Sequence, residues 1–170
     1  RFGTDNDGTW SGHIWNTTRG THIITNGRKS SSRGCRLYTM TNDPTQLPAY
    51  ENFTYDAAWS YNPIWSSSDN GYFVVSYVSG ANNVNETYVI EYDVPNVTPN
   101  MYKVTGYHHA FAIDYTNYFA AVDASVSDHI HVVLYDMENR QVHDEIDIPT
   151  GYNNFHGFAG WDNFLYISIE

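Results

Sequence analysis

The frame Trp10-Ser-Gly-His-Ile-Trp15 returns about fifty residues later as Trp59-Ser-Tyr-Asn-Pro-Ile-Trp65. With only five tryptophans in 170 residues, two such frames point to an internal repeat, and a repeat restricts a fold more than composition does. The same period shows elsewhere. Tyr72-Phe73, Tyr118-Phe119 and Phe164-Leu165 follow one another at intervals of 46. Trp15, Trp65, Tyr115 and Trp161 line up at intervals of 50, 50 and 46. Tyr92-Asp93 in "YDVPN" and Tyr135-Asp136 in "YDMEN" close similar apolar runs, 43 apart.

The repeated segments read as strands. "YFVVSYV" (72–78), "TYVIEYDV" (87–94), "YFAAVDASV" (118–126) and "HIHVVLYDM" (129–137) are rich in β-branched and aromatic residues and bounded by Gly, Asn, Asp or Pro. No segment sustains a 3.6-residue apolar period over a dozen positions. "TNG" (25–27) and "DNG" (69–71) are turn signals, since Asn-Gly readily supplies positive φ. Each unit then holds four short strands, and the units fall at about 9–57, 58–105, 106–150 and, incomplete, 151–170.

Four-stranded antiparallel units of 43–50 residues that restart without a helix resemble the blades of β-propellers. The expected fold is therefore all-β, a propeller segment of about 3.5 blades, with a β-sandwich as the alternative. The recurring aromatics Trp15, Trp65, Tyr115 and Trp161 are expected to end first strands and pack between neighbouring sheets. Pro63 suits an edge strand, which loses no ladder bond to it. A ring does not close on 3.5 blades, so the expectation is a piece of a longer chain. The Trp-Asp repeat signature, the paired glycines of kelch repeats and the sialidase Asp-box are all missing. The Tyr-, Asn- and Asp-rich texture is similar to tail and receptor-binding proteins of bacterial viruses, a likeness that carries no site residue across.

Charge narrows the partners. The formal net charge is −11, from 19 acidic and 8 basic residues, which disfavours nucleic acid. Apolar runs are too short for a membrane-spanning helix. Six of the basic residues fall in the first 36 positions, and "RKSSSRGCR" (28–36) reads as a cationic hairpin loop or as a contact for an acidic partner subunit or acidic glycan. The single Cys35 excludes an internal disulfide framework. Sequons stand at Asn16, Asn52, Asn85 and Asn96.

Candidate chemistry is sparse. Asp5 and Asp7 in "DNDG" have the spacing of a calcium loop, without the bidentate Glu that completes one, so an Asx turn is the plainer reading and Ca2+ the only cofactor suggested. His129 and His131 alternate onto one strand face beside Asp128, with His143 on the next strand; the alternatives are a metal site and a polar outer face. His108-His109 should point to opposite faces and so fail to chelate as a pair. Glu145 and Asp147 share a face and could serve glycoside hydrolysis, or simply mark an exposed outermost strand. Trp10, Trp59, Tyr61, Tyr107 and Tyr152, at unit entrances, are candidates for stacking on sugar rings. No nucleophile elbow, phosphate loop or dinucleotide fingerprint occurs. The expected role is a non-enzymatic structural or receptor-binding domain, extracellular or in a virion, with other subunits or a cell-surface glycan as partner. A carbohydrate-binding lectin and a glycosidase fragment are the alternatives.

Overall fold

The computed structural model describes residues 11–17, 20–29, 32–39, 45, 49–55, 64–78, 85–94, 98–149, 151, 155–161 and 164–170. Every regular element among them is a β-strand, so the all-β expectation holds. The chain divides into two compact units, Arg1–Ala57 and Ala58–Glu170.

The first unit contains one antiparallel meander: β1 (Ser11–Thr17), β2 (Gly20–Lys29), β3 (Ser32–Thr39) and β4 (Ala49–Tyr55), ordered β1-β2-β3-β4. One sequence expectation changes here. "TNG" is no turn, because Thr25, Asn26 and Gly27 lie inside β2, paired to β1 or β3 or both. The cationic stretch does form a hairpin, as read, although most of it is strand rather than loop. Arg28 and Arg33 are cross-strand partners at the end of the β2–β3 hairpin.

The second unit contains β5 (Ile64–Ser67), β6 (Tyr72–Val78), β7 (Asn85–Glu91) and β8 (Asn100–Thr105) as one sequential meander. A second follows: β9 (Tyr107–Ala112), β10 (Tyr118–Asp123), β11 (His131–Asp136) and β12 (Gln141–Asp147). A hairpin of β13 (Phe155–Trp161) and β14 (Phe164–Ile169) ends the unit. Alternation explains the runs: Phe73, Val74 and Val75 in β6, and Phe119, Ala120 and Ala121 in β10, are fully buried because both strand faces are covered.

The β9–β12 sheet is covered on both sides. One face joins Ala110, Ala112, Phe119, Ala121, Val133 and Tyr135 to Tyr72, Val74, Val89 and Val104 of the preceding sheet. Phe119 stacks on Tyr135 with centroids 4.8 Å apart. The opposite face carries Val122, Ile130, Val132 and Ile148, packed against Phe155, Phe158, Leu165, Ile167 and Ile169. Full burial of one such side chain contributes roughly 1.5–3 kcal/mol.

Strand β9 is the edge of its sheet, and an unpaired edge leaves backbone donors open. Serines of the preceding sheet supply partners. Ala110 N–H donates to Ser76 Oγ (2.9 Å) and Ala112 N–H to Ser66 Oγ (2.8 Å), while Thr87 Oγ1 donates to the Tyr107 carbonyl (3.3 Å). Ser66, Ser76 and Thr87 are all buried. Farther out, Arg140 lies 4.3 Å over the Tyr102 ring and reaches Glu91 at 3.3 Å, and the Tyr102 hydroxyl donates to the Met137 carbonyl (2.8 Å).

Four-stranded meanders recur among the described residues, but the repeat read from the sequence is out of step with them in detail. Ser67 pairs with Phe73 and Ala112 with Phe119, which puts Trp65 level with Ala110 rather than with Tyr115. Tyr115 instead sits in the β9–β10 turn with φ 60°, as Asp69 (φ 54°) does in the β5–β6 turn. Its side chain is 79% exposed and packs between no sheets. "YDVPN" and "YDMEN" also slip by two residues, since Tyr72 pairs with Glu91 and Tyr118 with Asp136. A slip of two leaves every side chain on its original face, so the apolar pattern cannot register it. "DNG" does form a turn. Gly71 has φ 93°, its carbonyl accepts from Tyr92 N–H, and an added Cβ would stand 2.8 Å from the Asp93 backbone.

Candidate functional site

Two histidine clusters form in the second unit, each beside an irregularity of the β9–β12 sheet. His131 opens β11, and His129 lies in the bend just before it. Ile130 between them is buried and its carbonyl accepts from Ile148 N–H at 2.9 Å, so the two imidazoles are left on the other side. Glu145 and Asp147 come from edge strand β12, and a bulge selects which one arrives.

Counted from the turn pair Asp136↔Gln141, an unbroken ladder would set Leu134 against His143 and His131 against Ile146. The observed pairs are Tyr135↔Val142 and Leu134↔Asp144, which leaves His143 as the extra residue. Beyond a one-residue bulge every side chain changes face. His131 therefore faces Asp147.

The result is a compact set of donors. Asp147 Oδ1 lies 2.6 Å from His131 Nδ1 and 3.0 Å from His129 Nε2. Asp128 Oδ1 is 2.7 Å from the other nitrogen of His129, and Glu145 Oε2 is 3.9 Å from the other nitrogen of His131. The ligand atoms of His129, His131 and Asp147 all lie within 4.8 Å of one another. The imidazoles are sheltered, with side chains 24% and 15% exposed, and the Asp147 side chain is 70% exposed. Hydrogen bonds to Asp147, then to Asp128, raise the pKa of His129. Those from His131, then His129, lower that of Asp147. Two imidazoles and a carboxylate can share protons, or they can ligate a metal ion.

The second cluster overturns the expectation for His108-His109. His109 and Ala110 together stand opposite Ala121, a bulge with His109 at φ 54°. Strict alternation fails there, and the two Nδ1 atoms meet in a hydrogen bond with ring centroids 4.7 Å apart. The His109 ring also meets Phe155 edge-on at 5.1 Å. Burial, then the neighbouring His109, pushes the His108 pKa down to about 4, and burial lowers that of His109. Both are neutral at pH 7, one ring N–H donating to the other ring's lone pair.

The remaining candidates are placed as follows. His143, at the bulge, tilts against Tyr118 (4.8 Å) and has no place in the His129 set. Glu145 and Asp147 do share the exposed edge strand. Tyr107 is half-buried against the inter-sheet core, 6.3 Å from Tyr135, and burial, then the charges of Asp123 and Glu145, raises its pKa. Trp10, Trp59, Tyr61, Tyr152, Asp5 and Asp7 lie outside the described residues. The sequence holds both halves of the His129 cluster, "DHIH" (128–131) and "EID" (145–147); only their register was missing. No family model matches the chain, and no curated protein or solved structure matches it either.

Proposed function

We propose that the chain is a non-enzymatic β-propeller segment serving as a structural or receptor-binding part of an extracellular or virion assembly, of the kind found in the tails of bacterial viruses. The observation that carries this reading is the double covering of the β9–β12 sheet by the sheets before and after it. A two-layer sandwich gives each sheet one covered face, whereas radially repeated sheets cover one another on both. The sequential meanders and the serine-fastened edge of β9 support the same arrangement. The acidic, polar composition that resembles phage tail proteins supports the assembly role.

Distances between paired spin labels on the sheets of the second unit test the architecture: the β9–β12 sheet lying between the β5–β8 sheet and the β13–β14 hairpin is expected, and a two-layer arrangement that covers it on one face only would refute it. Glycan-array binding together with a hydrolysis assay tests the role. Binding without turnover fits receptor attachment or a lectin, and release of reducing ends would overturn the non-enzymatic reading.

A further inference from the structure

We propose that His129, His131 and Asp147 form a site for a divalent transition-metal ion of the zinc class, held by His129 Nε2, His131 Nδ1 and an Asp147 carboxylate oxygen. The three donors come from the bend before β11, from β11 itself and from edge strand β12, so the ion would fasten that bend to the sheet edge.

The first argument is convergence. Two imidazole nitrogens approach one oxygen, Asp147 Oδ1, at 2.6 and 3.0 Å. Tetrahedral ligands at about 2.0–2.1 Å from zinc stand roughly 3.3 Å apart. The separations here, none above 4.8 Å, lie within about 1.5 Å of that value.

The second argument is independent of the first. The remaining nitrogen of His131 lies 3.9 Å from Glu145, beyond hydrogen-bond reach, but that of His129 meets a further carboxylate, Asp128, at 2.7 Å. Metal-bound histidines characteristically donate their second N–H in this way, which fixes the tautomer and raises the basicity of the ligating nitrogen. The arrangement is also demanding without a metal. A neutral imidazole has one N–H, yet His129 faces carboxylate oxygens with both nitrogens. Either a second proton or a cation must occupy the inner position.

The donor types select the metal. Calcium and magnesium favour oxygen-only shells, while two imidazoles and a carboxylate suit zinc and its late first-row neighbours. Three protein donors leave a fourth position for water.

The test is calorimetric titration of Zn2+ into the chelator-treated 170-residue chain, with circular dichroism to check the fold. Saturable one-to-one binding is expected. His131→Gln and Asp147→Asn should weaken it about 100-fold or more, and Asp128→Asn about 10-fold. His143→Gln, away from the site, should leave it unchanged. Asp147 is exposed on an edge strand, so its variant keeps the fold; the intensity of the Co2+ visible bands gives a second readout, strong for a tetrahedral site. Absence of saturable binding, or full binding by His131→Gln, would overturn the proposal, the latter by showing that the ion sits elsewhere.

Discussion

Acidification should destabilise the second unit through His108, by an amount the structure allows one to work out. In the unfolded chain this imidazole titrates near its ordinary value of 6.5, and in the fold near 4. As pH falls through that interval the unfolded chain takes up the proton first, so stability is lost between 6.5 and 4 and is level above 6.5. A separation of this size corresponds to about 3 kcal/mol at full burial, and roughly 2–3 kcal/mol for the partly buried ring. The perturbation is His108→Gln, which keeps a polar side chain without a titrating group. Urea unfolding of both proteins at steps from pH 7.5 to 4 gives the difference, in which the titrations of His129 and Asp147 cancel. The wild-type chain should lose about 2–3 kcal/mol more than the variant over this range. Parallel loss in the two proteins would refute the reasoning, because His108 would then titrate alike folded and unfolded.

Phe119→Ala should cost about 3–5 kcal/mol in urea unfolding, since the ring is fully buried between two sheets, while Tyr115→Ala should stay within about 0.5 kcal/mol. Ser76→Ala leaves the Ala110 N–H without its partner in a buried place and should cost about 1–3 kcal/mol by the same assay. Deletion of His143 removes the extra residue without altering the His131–Asp147 pairing, so zinc affinity by calorimetry should be retained. An alanine inserted between Glu145 and Ile146 should abolish it by moving Asp147 off His131.

How much of this was legible depended on which interaction set the outcome. Strand identity and the order of the meanders follow from runs such as "YFVVSYV" and "HVVLYD", because β-branched and aromatic residues between turn formers have few other uses. Register did not follow. Tyr115 lines up with Trp65 by residue type, yet it sits one loop farther on, with its φ in the left-handed region. "TNG" has turn chemistry, yet β2 runs straight through it. The pairing of Asp147 with His129 and His131, and the meeting of His108 with His109, were hidden for the same reason. A one-residue bulge has no composition of its own, and the bulges at His109 and His143 decide which side chains meet. Alternation alone separates His108 from His109 and keeps Asp147 from His131. Both inferences are correct for regular ladders and reversed by one inserted residue.

The stacking of three successive sheets carries everything above, and methyl–methyl nuclear Overhauser effects on Ala-, Ile- and Val-labelled chain test it most directly. Contacts should link Ala110, Ala112 and Ala121 with Val74, Val89 and Val104, and in the same sample link Val122, Val132 and Ile148 with Ile167 and Ile169. Contacts from only one face of the β9–β12 sheet would contradict it.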